Sequence, residues 1–231
     1  MPYRRFPKTD TARLASLKTL LDNNDVYASS TRFIDMTVIQ RAKTLHDRLA
    51  TLSSQFLLCY EAQMRGYRQI AKPQKNFMLY ISHFVRVLAM AVERGEIKPD
   101  VVEQMYGVDD VEQLLPMLRT VDEAVSAAPR IIEGEKRRIA AGGRPIYNPT
   151  VGMVATHFDI FYHVYRQQKI LNDKADRALA TLKELRVEVD AVIVDIWNEV
   201  EAHFASLPQD ERVEQCRRYG LIYYYRKGEK R

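Results

Sequence analysis

Two cysteines, Cys59 and Cys216, are all that a chain of 231 residues contains. A disulfide framework is excluded as the basis of the fold, and so few thiols suit a reducing compartment. Long apolar runs are missing too. "FMLYI" and "AVIVDIW" are far too short to cross a bilayer as helices. The opening "MPYRRFPKTD" has basic residues with no apolar stretch behind them, and so does not read as a secretory signal. No Pro/Gly/Ser-rich linker, low-complexity segment or internal repeat divides the chain. The expectation is one soluble, cytoplasmic domain with no membrane partner.

Catalytic motifs are equally scarce. No G-x-S-x-G elbow appears, and no glycine-rich loop ends in Gly-Lys-Ser/Thr. No glutamate stands three residues before a histidine, so the Glu-x-x-His pattern of di-iron bundles is absent. Cys59 lies on an apolar helix stripe, where a thiol packs as a small hydrophobe. No cofactor is implied.

Net charge is +5, but its location is uneven. From Arg217 onward six basic residues face one acid, so the first 216 residues are neutral in sum. A nucleic-acid-binding protein more often carries its basic residues across the folded surface.

What the sequence does contain is helical periodicity. The spacing predicts an all-α fold: an elongated bundle of about four principal antiparallel helices, with short accessory helices and a small β element near the C-terminus. A short helix is expected over 10–23, capped by Thr9 or Asp10. The main helices are expected over 31–70, 73–94, 120–141, 149–171 and 173–206, with a short helix over 208–219. Lys72-Pro73 reads as a turn, because proline suits a first helical position. A break at Asn172-Asp173 follows from apolar stripes that fall out of phase at about 100° per residue, a bent continuous helix being the alternative. Thr120 to Glu123 has capping-box spacing. Helix 73–94 is apolar on two sides, with Leu79, Val87 and Met90 on its reverse face, and so is central in its bundle or covered by another subunit.

Leu221–Arg226 is the best strand, and 227–231 a solvated basic tail. A lone strand needs a neighbour. "YRRF" near the N-terminus and "RPIY" before Asn148 are the intramolecular choices; a second copy of the chain is the other.

Three functions follow in order. The first is a non-catalytic helical bundle acting through protein–protein interaction, homo-oligomerisation through helix 73–94 included. The second is nucleic-acid or anion contact by Lys136, Arg137, Arg138 and Arg144 around Gly142-Gly143, and by Tyr223, Tyr225, Arg226 and Lys227 in the tail. The third is a metal-dependent bundle enzyme, which requires His83, His157 and His203, with Glu199, to converge. The pairs Asp159/His163 and Glu199/His203 have helical i, i+4 spacing, which chance alone supplies about once.

Overall fold

In a computed structural model, described for residues 2–23, 26–28 and 32–226, the chain is all-α with a small β element near the C-terminus. The elements are β1 (Tyr3–Arg4), α1 (Asp10–Leu21), α2 (Met36–Glu93), α3 (Pro99–Tyr106), α4 (Val121–Ala140), α5 (Val151–His203), α6 (Gln209–Arg218) and β2 (Tyr223–Tyr224). Short 3-10 turns at Val111–Leu114 and Pro116–Leu118 join α3 to α4. Thr31, Lys227 and the rest of the expected tail lie outside the described residues.

Two of the expected breaks are corrected. One helix, α2, replaces 31–70 and 73–94, and passes through Pro73. One helix, α5, replaces 149–171 and 173–206. The reason is a seven-residue repeat. Ala42, Leu49, Ile70, Phe77, Phe84 and Ala91 are buried at whole multiples of seven along α2, with half-buried Phe56 and Gln63 between. On α5 the buried set is Val154, Phe161, Gln168, Ala175, Leu182, Val189 and Ile196. A pattern of period 3.5 drifts by about 20° per heptad against a straight helix. Over several heptads that drift mimics a phase break. Proline in a helix interior costs about 3 kcal/mol, and the buried residues Ile70 and Phe77 on either side of it offset that cost.

Backbone contacts divide the chain into two compact units. The first comprises residues 1–60 and 174–231. Its core joins Leu17 and Leu20 of α1 to Leu45 and Leu49 of α2 and to Val189, Ile196 and Trp197 of α5. β1 pairs antiparallel with β2, Tyr3 opposite Tyr224 and Arg4 opposite Tyr223. The strand partner is therefore "YRRF"; "RPIY" forms a loop, and the expected strand 221–226 shortens to two residues. Arg4 donates to both oxygens of Glu201 at 2.9 and 2.5 Å, and the Tyr223 hydroxyl donates to the same carboxylate at 2.6 Å.

The second unit is residues 61–173. Here α2 and α5 run antiparallel: Gln63 bonds Asn172, Phe77 stacks on Phe161, and Tyr80 meets His157. Helix α4 begins with the expected capping box, in which the Thr120 hydroxyl accepts from the Glu123 N–H while the Thr120 N–H donates to the Glu123 carboxylate. Gly134 lets α3 approach closely, since a Cβ there would lie 2.6 Å from the Met105 carbonyl oxygen.

Candidate functional site

The basic loop after α4 is built from the inside outward. Glu135 is fully buried, and it accepts from the Tyr106 hydroxyl at 2.5 Å. Arg138, 5% exposed, donates to both Glu135 oxygens at 2.8 and 2.9 Å. Arg138 also donates to the Arg144 carbonyl, and the Ile146 N–H donates to Glu135. Burial first, and then the bond to Glu135, push the Tyr106 hydroxyl pKa well above its usual value. Arg138 was expected to meet an external anion. Its fork instead holds a buried carboxylate and the following loop, because an unpaired charge at that depth would cost several kcal/mol. Arg137 is exposed and donates to the Met105 carbonyl. Lys136 and Arg144 are exposed.

The tail residues divide in the same way. Tyr223 is 8% exposed and points its hydroxyl at Glu201, so it offers no stacking face to a base. Tyr225 is half-buried, and Arg226 lies over the Tyr3 ring at 4.2 Å. Cys216 is fully buried beside this network, and burial raises its thiol pKa. Both cysteines are free.

Among the described residues, no group of three or more His, Cys, Asp and Glu side chains is arranged to hold a metal. In the first unit His203 is exposed and stacks on Phe33, 3.8 Å between ring centroids and 4° between planes. Burial, reinforced by Asp195 and Asp35, raises the Glu199 pKa. In the second unit His83 is exposed, and the half-buried His157 ring lies 4.0 Å from that of Tyr80. Asp159 and His163 are both exposed.

What the second unit does present is an apolar outer face. On α2, Leu79 is 48% exposed and Met90 45%; on α5, Met153 is 42% and Ile160 53%. At about 100° per residue, Met90 falls within roughly 40° of Leu79, and Ile160 within roughly 40° of Met153. A pocket of about 300 Å³ joins the two helices, lined by Leu79, Tyr80, His83, Asn148, Pro149 and Met153. Tyr147, 70% exposed, stands next to it on the loop that Glu135 and Arg138 hold in place. The chain matches no protein-family model, no curated protein and no solved structure.

A local charge asymmetry on this face is hidden by the neutral sum of the first 216 residues. Between Glu61 and Glu93 the chain carries Arg65, Arg68, Lys72, Lys75 and Arg86 and no acid at all. From Arg144 to Phe158 there is again no acid. Counting charge in thirty-residue windows along helix faces would have shown it.

Proposed function

We propose that the protein acts by binding another protein, or a further copy of itself, through the exposed face of α2 and α5 in residues 61–173. The observation that carries this reading is the exposure of Leu79 and Met90 on one face of α2 and of Met153 and Ile160 on one face of α5, with Leu79 and Met153 meeting at one pocket. Single exposed apolar residues are ordinary on any surface, whereas a cluster rimmed by polar groups marks an interaction site. A loop held rigid by a buried ion pair adds to it, because a pre-ordered surface loses less entropy when it binds.

The test is the double variant Leu79→Ser/Met153→Ser. Side chains already half in water contribute little to folding, so its thermal unfolding should stay within a few degrees of the parent. Proteins that co-purify with the tagged parent after mild crosslinking in its source cells, or a dimer seen by light scattering, should be lost from the variant. Retention of every partner and of the same mass would contradict the proposal.

A further inference from the structure

Resting on that reading, we propose the kind of partner: an acidic amphipathic helix, laid along α2 from Arg68 to Met90 with an apolar side chain in the pocket between Leu79 and Met153. Arg68, Lys72, Lys75, Leu79, His83, Arg86 and Met90 follow one another at spacings of three and four. At about 100° per residue all of them fall within roughly 40° of Leu79, on the side of α2 opposite its buried heptad. All seven are exposed. Arg68, Lys72, Lys75 and Arg86 form no ion pair among the described residues. The face thus reads as basic residues on both sides of a pocket that Leu79 and Met153 help to wall. Over its 22-residue rise it is about 33 Å long, enough to seat a helix of six turns.

Charge selects among the occupants. Pairing this strip with its own copy would set Lys72 and Lys75 against Arg86 or against themselves, and like charges held face to face are repulsive. Nucleic acid would use the basic residues, but its bases gain most by stacking on aromatic rings, and Leu79, Met90, Met153 and Ile160 are aliphatic. A helix with carboxylates flanking leucine, isoleucine or phenylalanine at i, i+3/i+4 and i+7 matches both the charges and the pocket.

The experiment selects from a phage-displayed library of random peptides, about twenty residues long, on the full chain. The dominant peptide is then synthesised and titrated by fluorescence anisotropy. The expected winner is net acidic with apolar residues at helical spacing. Its affinity should fall at least about tenfold for Lys75→Glu/Arg86→Glu and for Leu79→Ser, and fall with added salt. The control Arg177→Glu/Lys183→Glu, at exposed positions of the other unit, should bind as the parent does. A neutral or basic winner, an acidic winner indifferent to Lys75→Glu/Arg86→Glu, or no enrichment at all would overturn the proposal. So would a single-stranded oligonucleotide that binds more tightly with the same dependence, or a dimer that Lys75→Glu/Arg86→Glu dissociates. If partners are lost from Leu79→Ser/Met153→Ser but kept by the charge-reversed variant, protein binding at this face stands and only the acidic helix is removed.

Discussion

Glu135 shows how much one side chain organises. It ties Tyr106 of α3, Arg138 of α4 and the Ile146 backbone to a single buried carboxylate. Glu135→Ala would leave the Arg138 charge at 5% exposure without its partner, and removing one member of a buried pair costs about 3–5 kcal/mol. Urea unfolding of the variant should show a loss of that size. Glu201 plays the matching part in the first unit. Burial opposes its charge, yet Arg4, Tyr223 and Arg212 together hold its pKa below the ordinary carboxylate range. A carboxyl whose pKa is depressed on folding contributes stability above its unfolded pKa, about 4.3, and loses it as pH falls through the folded value. Parent and Arg4→Met should therefore differ most at neutral pH, by about 1–3 kcal/mol, and converge well below pH 4. A gap that widens in acid would contradict the assignment. None of these partnerships was legible in the sequence, because Glu135 and Tyr106, or Arg4 and Glu201, are brought together only by tertiary folding. A basic cluster such as Lys136 to Arg138 looks uniform as text; only burial separates Arg138 from its neighbours.

The helices themselves were legible as helices, and the caps at Thr9 and Thr120 were found where their side chains predicted. Their continuity was not. Pro73 carries a local signal for a break, and the stripes on either side of Asn172 fall out of phase, while the heptad repeat runs through both. In the second unit that repeat contains a polar layer. Gln168, 5% exposed, donates to Asn172 and to the Gln63 carbonyl, and its own carbonyl oxygen has no hydrogen-bond partner among the described residues. That oxygen lies against Gly66, where a Cβ would sit only 2.1 Å away. Alanine in place of glycine inside a helix is worth about 0.5–1 kcal/mol. Here the gain is outweighed, because Gln168 has to give up its bonds to make room, and overpacking costs about 1–3 kcal/mol. Gly66→Ala is expected to destabilise the parent and to stabilise a Gln168→Ala background, a sign reversal that a double-mutant cycle measures directly. The same sign in both backgrounds would show that Gln168 does not set the need for glycine.

Across the whole molecule, total charge was a misleading guide. The sum assigned all of the excess to the C-terminal residues, and there Tyr223 proves to be internal structure. A local imbalance, five basic residues and no acid between Glu61 and Glu93, lies on the exposed side of α2. The expectation of a second apolar face on helix 73–94 came from Leu79, Val87 and Met90; Leu79 and Met90 are exposed and Val87 half-buried. Among the described residues no helix is long and apolar enough to cross a membrane. The most direct measurement of the central claim is site-specific photo-crosslinking in the source cells, with a photoreactive residue in place of Leu79, Met153 or, as a control, exposed Thr181. Protein binding through this face predicts discrete protein adducts from positions 79 and 153 and none from 181. Adducts of equal yield from all three, or from none, would contradict it.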